Sequence, residues 1–130
     1  MKVAAGIFRN GDRVLLMRRA QTEPLAGEWE YPGGKFQDGE EGPVCLHREL
    51  QEELGIDAKI GDLITIARLQ LNSGNELELY AYDILGYSGT ITLMVHDATE
   101  WVKLSDLLTH SQLPADLIVS QILVNKERES

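Results

Sequence analysis

Two short, nearly continuous apolar runs near the N-terminus, residues 3–8 and 14–18, predict two strands. Asn10-Gly11-Asp12 between them is a hairpin signal, because glycine accepts the backbone that such a turn needs. Residues 20–28 are polar, carry Pro24 and Gly27, and read as a loop. Trp29-Glu30-Tyr31-Pro32 then leads into Gly33-Gly34, where strand structure is expected to break. Beyond this point the period changes. Leu46, Leu50 and Leu54 recur every four residues, forming one apolar stripe along a helix of about eleven residues. Pro43 suits its first turn and Gly55 its stop.

Strand formers return in residues 63–71 and 76–84, with the turn Asn72-Ser73-Gly74-Asn75 between them. Residues 90–95 predict another strand, and Trp101-Val102 a short one. Ser105 is placed to cap a brief helix through Leu108. Pro114 opens a last helix with Leu117, Ile118, Ile122 and Leu123 as its apolar face. The order β-β-α-β-β-β-α predicts an α/β (α+β) sandwich, a mixed sheet with helices on its faces. No repeat or linker interrupts the 130 residues, so one domain spanning 1–130 is expected.

Charge narrows the chemistry. The chain carries 12 Lys and Arg against 21 Asp and Glu, a net charge of −9. A DNA or RNA polymer needs a basic face to displace its counterions, so neither is an expected partner. The single cysteine, Cys45, excludes an internal disulfide, and no run approaches the ~18 apolar residues of a membrane span. A reduced, cytoplasmic protein without a membrane partner is expected, either a monomer or a small homo-oligomer.

The helix of the leucine stripe also carries Arg48, Glu49, Glu52 and Glu53. At ~100° per residue its three glutamates share about a 100° arc. Like charges at i,i+3 and i,i+4 repel, and the C-terminal end of a helix disfavours anions. A hard divalent cation such as Mg²⁺ relieves that repulsion, because it takes oxygen ligands and keeps waters for phosphate oxygens to displace. A solvated acidic face is the plain alternative. The preceding Gly33-Gly34-Lys35 weighs against it, since glycine lets the backbone approach a ligand and Lys35 brings a positive charge suited to phosphate.

Residues 34–56, GKFQDGEEGPVCLHRELQEELGI, resemble the Nudix box, G-x5-E-x7-R-E-U-x-E-E-x-G-U with U a bulky aliphatic. Gly34, Glu40, Arg48, Glu49, Leu50, Glu52, Glu53, Gly55 and Ile56 fill its defined positions. The resemblance implies an α/β/α sandwich with a loop-helix-loop catalytic motif that hydrolyses phosphoanhydrides. It implies that Glu49, Glu52 and Glu53, with the Gly34 carbonyl, ligate Mg²⁺ or Mn²⁺. Arg48 would orient the glutamates by charge-assisted hydrogen bonds, and Glu40 would support the loop. The metal would neutralise the phosphate chain and lower the pKa of a water.

Outside the box, VAAGIFRNGDRVLLMRRA, WEYPGGK and WVKLSDLLTHSQLPADLI resemble MutT-like nucleoside-triphosphate pyrophosphohydrolases, most closely the branch acting on cytidine-type and modified-pyrimidine nucleotides. That resemblance implies a small-molecule nucleotide substrate, an NTP or dNTP split into monophosphate and pyrophosphate. Arg19 would contact the nucleotide and Asp116 would read the base edge; a strand-end salt bridge and a helix-start carboxylate are their structural alternatives. Tyr31 and Tyr80 would stack on a base or fill the core. Just after the box, residues 70–74 hold neither the proline typical of ADP-ribose hydrolases nor the tyrosine typical of dinucleoside-polyphosphate hydrolases.

One position departs from the pattern. Six residues before Trp101, where these enzymes often place a glutamate as metal ligand or general base, stands Val95. His96 and Asp97 follow and would substitute if the loop shifts, or be ordinary loop residues. In the latter case Glu52 or Glu53 would activate the water. The same vacancy leaves open a Nudix module that binds a nucleotide or a protein partner without turnover, and a hydrolase of another nucleoside diphosphate derivative. Cys45 reads as a small buried residue, since hard Mg²⁺ prefers oxygen, and His47 and His110 are given no role.

Overall fold

The computed structural model describes residues 1–129. Two sheets carry the architecture. In the first, β1 (Lys2–Ile7) lies between β5 (Gly33–Lys35), antiparallel to it, and β7 (Glu76–Ser88), parallel to it; β6 (Asp57–Gln70) completes the order β5-β1-β7-β6. The second is built on β3 (Arg13–Arg18), flanked by β2 (Arg9–Asn10), β4 (Trp29–Glu30) and β8 (Ala98–Lys103), all antiparallel. The turn at Gly11 is present, with φ of 62°, but it joins β2 to β3. The two N-terminal runs therefore belong to different sheets, and β2 is the short step between them.

Alternation along the strands separates two cores. Ala5, Ile7, Val14 and Leu16 point to one, with Val119 and Leu123 of α2 (Pro114–Glu129). Ala4, Phe8, Leu15 and Met17 point to the other, with Leu46, Leu50 and Leu54 of α1 (Gly42–Leu54). A helix on either side of a mixed sheet is the α/β/α sandwich that the element order predicts. The α1 stripe is fully buried, Pro43 lies in the first turn, and Gly55 closes the helix in the left-handed region at φ 68°, its N–H donating to the Gln51 carbonyl.

Four expectations fail for physical reasons. Residues 90–95 pair with no strand; instead the Thr92 and Met94 N–H groups donate to the Leu54 and Glu53 carbonyls, satisfying acceptors that the end of α1 leaves open. The strand breaks two residues earlier, at Tyr31-Pro32, and Gly33 and Gly34 begin strand β5 in the other sheet, where a Cβ on Gly33 would strike Ala4 of β1 and one on Gly34 would strike Glu49 of α1. Ser105 does not cap the 3-10 helix Leu104–Thr109, whose cap position is Lys103. On α2 the buried face is Ala115, Asp116, Val119, Ser120, Leu123 and Val124, so Leu123 alone of the four expected residues lies on it, while Leu117, Ile118 and Ile122 are half-buried. Two buried polar residues, Asp116 and Ser120, break the apolar periodicity that would have shown this face.

A side chain at position 33 has no room. A Cβ there would run into the Ala4 carbonyl of the neighbouring strand. Gly33→Ala is expected to destabilise the fold by roughly 1–3 kcal/mol, the usual cost of overpacking, read as a lowered urea midpoint. An unchanged midpoint would show that β5 can separate from β1 freely.

Candidate active site

Strand β5 and helix α1 meet at Gly34. Its pairing with Ala4 holds the backbone so close to α1 that a Cβ would collide with the Glu49 carboxylate. One turn further on, the half-buried Glu53 accepts a hydrogen bond from the Gly33 N–H. Its Oε2, however, is buried without a hydrogen-bond partner among the described residues. Burial pushes the Glu53 carboxyl up to about 7; the Glu49 and Glu30 charges add to this and His96 opposes it.

Arg48 organises the opposite side. Its Nε and Nη2 grip both oxygens of Glu40 at 2.8 and 2.9 Å, a two-point pairing that suits a planar guanidinium. Nη1 donates to Glu49 Oε1 at 2.9 Å and to Glu52 Oε2 at 3.1 Å, and Nη2 reaches the Lys35 carbonyl at 3.1 Å. Glu40 also accepts the Gln37 N–H, and the hydrogen bonds from Arg48, foremost, hold its carboxyl down at about 2. One guanidinium thus ties the loop after β5 to two of the three helix glutamates. Glu49 side-chain exposure is 14% and that of Glu52 is 58%, so the three carboxylates form a gradient from the buried Glu53 end to the solvent rim.

The donor set suits a hard divalent cation. Among the described residues no group of three or more His, Cys, Asp or Glu side chains is arranged to hold a metal ion by itself. An open set serves Mg²⁺, which binds one or two carboxylates together with waters and substrate phosphates. The unpartnered Glu53 Oε2 and the Glu49 carboxylate pressed against Gly34 are oxygen donors of this kind. Cys45 is not: its thiol is buried, lies 3.7 Å from the Gly34 carbonyl, and is pushed up to about 12 by burial and by Glu40.

A cavity of about 750 Å³ opens from these glutamates, a volume within the range of small-molecule sites. Gly34, Lys35, Glu49 and Glu53 line it together with Leu113, Ala115 and Asp116, and Arg19, Glu30, Tyr31, Val95 and His96 are also in its wall. Glu52 is not part of the lining. Asp116 is 6% exposed and accepts the Tyr31 N–H at 2.9 Å. Burial pushes its carboxyl up to about 7, with Glu30 adding to the effect and Arg19 opposing it.

Tyr31 itself is 3% exposed. Its hydroxyl donates to Ser120 Oγ at 2.6 Å, and Ser120 in turn donates to Gln112. This satisfied chain makes Tyr31 part of the wall and the core together. Tyr80 packs on Phe36 at 5.3 Å between ring centres, and it does not line the cavity.

Sequence reasoning passed over Glu30. Its carboxylate receives Arg19 Nη1 at 3.0 Å and pairs with His96 Nε2 at 3.0 Å. The loop at 90–95, held on the end of α1, turns His96 inward, where its side chain is 8% exposed, and leaves Val95 half in solvent. Asp97 faces the other way and pairs with Arg18 at 2.7 Å. His47 and His110 pair with Asp57 and Glu100 away from the cavity.

Residues 1–121 match the family model described as the NUDIX domain. A CTP pyrophosphohydrolase of Escherichia coli is 32% identical over 117 residues, covering 90% of this chain and 86% of that protein. An 8-oxo-dGTP diphosphatase of Escherichia coli is 42% identical over 57 residues, covering 43% of this chain and 44% of that protein. Among solved structures, the Escherichia coli ORF135 protein superposes with a TM-score of 0.88 at 30% identity, covering 98% of this chain and 91% of that one.

Proposed function

The chain is a hydrolase of the Nudix family, and from that premise we propose that it splits a nucleoside triphosphate, an NTP or dNTP with a cytidine-type or oxidised base, into the monophosphate and pyrophosphate. One observation carries the reading. A single cavity is lined both by the Glu49 and Glu53 carboxylates and by the buried Asp116. A ligand spanning it has a polyanionic end and an end with polar edges to be read, as a nucleoside triphosphate has. The relatives named for CTP and 8-oxo-dGTP support the same substrate class.

Hydrolases of this family generally use divalent metal ions, and here Gly34, Glu49, Glu52 and Glu53 are assigned to hold Mg²⁺ or Mn²⁺. When bound, the metal neutralises the phosphate chain and acts as a Lewis acid toward phosphorus and water. The remaining steps belong to the chain itself. Lys35 supplies a positive charge at the phosphate end, and Arg19 contacts the nucleotide. Arg48 holds Glu49 and Glu52 toward the loop, while Tyr31 fixes Asp116 through its N–H. Attack of water on phosphorus breaks a P–O–P bond, and pyrophosphate leaves in line with the incoming oxygen. Glu53, half-buried beside Gly33, takes the proton from that water. Asp116, with its carboxyl near 7, accepts from a base amino group when ionised and donates when protonated.

Turnover of unmodified and oxidised NTPs and dNTPs, scored as kcat/KM for pyrophosphate release, tests this assignment. The reading expects one base class to lead. It also expects Asp116→Asn to lower kcat/KM for that class by about 10- to 100-fold while the others change less, the scale of one charged hydrogen bond. A uniform decrease across all bases would contradict the base-reading role.

A further inference from the structure

One part of the cavity wall is organised by a residue that the proposed chemistry does not use. Glu30 ends β4, and its carboxylate takes two partners from opposite sides. Arg19 Nη1 lies 3.2 and 3.0 Å from its two oxygens, and His96 Nε2 lies 3.0 Å from Oε2. The Arg19 guanidinium is pinned a second time by Nε, which donates to the Pro24 carbonyl at 2.7 Å. Arg19, Glu30 and His96 are all half-buried or better, with side-chain exposures of 24%, 16% and 8%, and all three line the cavity. Arg19 Nη2 makes no hydrogen bond among the described residues. With its Nε2–H given to the Glu30 carboxylate, a neutral His96 presents Nδ1 as an acceptor, so the open donor of the pair is the guanidinium. The next residue, Tyr31, holds Asp116 through its N–H. Two consecutive residues thus fix two parts of the cavity wall, and the Glu30 charge is felt at Glu53 and at Asp116 alike.

We propose that Glu30 is a positioning residue that, braced by His96, locks the Arg19 guanidinium so that its free N–H groups hold the sugar-proximal phosphate of the nucleotide. This rests on the reading of the cavity as a nucleoside triphosphate site. The chemistry follows from the donors. Holding the guanidinium on a carboxylate that His96 also fixes orients its remaining N–H groups before a ligand arrives, which lowers the ordering cost of binding. Anionic oxygens suit such donors better than a neutral sugar does, because charge-assisted hydrogen bonds are the stronger ones. The Glu30 charge acts on both Asp116 and Glu53, so this subsite lies close to the proposed base reader and to the glutamates of α1 alike, as the first phosphate of a nucleotide must. It needs no metal, so it can be examined without one.

The test is calorimetric titration of the full-length chain with a nucleoside monophosphate in EDTA, for wild type, Glu30→Gln, Arg19→Ala and His96→Ala. Steady-state kinetics and thermal melts accompany it. Glu30→Gln keeps the shape and one acceptor but removes the charge. Its monophosphate Kd is expected to weaken roughly 10- to 100-fold. KM should rise more than kcat falls, and the thermal transition should stay cooperative. Combining Glu30→Gln with His96→Ala should add little to either single change, because both act through one arrangement. A Glu30→Gln chain that binds the monophosphate as tightly as wild type overturns the proposal. So does one that loses its cooperative transition, since Glu30 would then serve the fold alone. A wild type that binds the monophosphate yet hydrolyses no triphosphate would overturn the proposed reaction and leave the subsite standing. One that hydrolyses triphosphates while binding no monophosphate would do the reverse.

Discussion

Glu53→Gln is expected to reduce turnover by roughly 10²- to 10⁴-fold, the scale of a lost general base, while the protein stays folded. The isosteric amide removes a charge that the structure holds unfavourably, since Oε2 is buried without a partner. The pH dependence of stability carries the same information. Burial raises the Glu53 carboxyl from 4.5 to about 7, so the folded chain binds this proton more tightly than the unfolded chain. The resulting stabilisation is complete below 4.5 and is lost as pH rises through about 7. Metal-free melts at stepped pH should therefore show wild type losing stability relative to Glu53→Gln across that interval. A difference that stays constant with pH would mean that the carboxyl is not raised. A variant retaining full kcat would remove Glu53 from the chemistry.

Arg48→Gln carries the second large effect. Glutamine cannot reproduce the two-point grip on Glu40 together with the contacts to Glu49, Glu52 and the Lys35 carbonyl. Groups that orient metal-binding carboxylates typically affect metal affinity or activity by about 10- to 100-fold. A loss of that size is expected in the Mg²⁺ concentration giving half-maximal rate, with a lower melting temperature as the loop releases from α1. Arg48→Lys should not restore it, because an ammonium is a single point of charge. The Arg48–Glu40 pair holds Glu40 at about 2, below its ordinary 4.5. Its stabilisation is present above 4.5 and is lost as pH falls toward 2, so acid titration should separate wild type from the variant least at low pH. Full rescue by lysine would contradict the geometric role.

The acidic helix was legible in the sequence because every constraint on it is local. Leucines four apart, a proline at the start, a glycine at the stop and three glutamates on one arc all follow from helix geometry. The short apolar strands around residues 3–8 and 14–18 were legible for the same reason, but their assignment to two sheets was not, since pairing depends on partners far along the chain. The buried face of α2 was obscured because Asp116 and Ser120 sit where apolar residues would have marked it. The run at 90–95 has the composition of a strand, yet open carbonyls at the end of α1 gave its N–H groups other acceptors. That displacement puts both Val95 and His96 in the cavity wall, with His96 paired to Glu30. Glu30 was invisible as a site residue because no spacing links it to Arg19 or His96. Their meeting on one carboxylate is a product of the second sheet and the loop that crosses it.

The most direct test of the central claim is phosphorus NMR of the wild-type chain with its preferred nucleoside triphosphate, first in EDTA and then with excess Mg²⁺. The account expects no change in EDTA. On addition of Mg²⁺ it expects equal amounts of nucleoside monophosphate and pyrophosphate, with no orthophosphate in the early products. Orthophosphate with nucleoside diphosphate, or turnover that persists in EDTA, would contradict it.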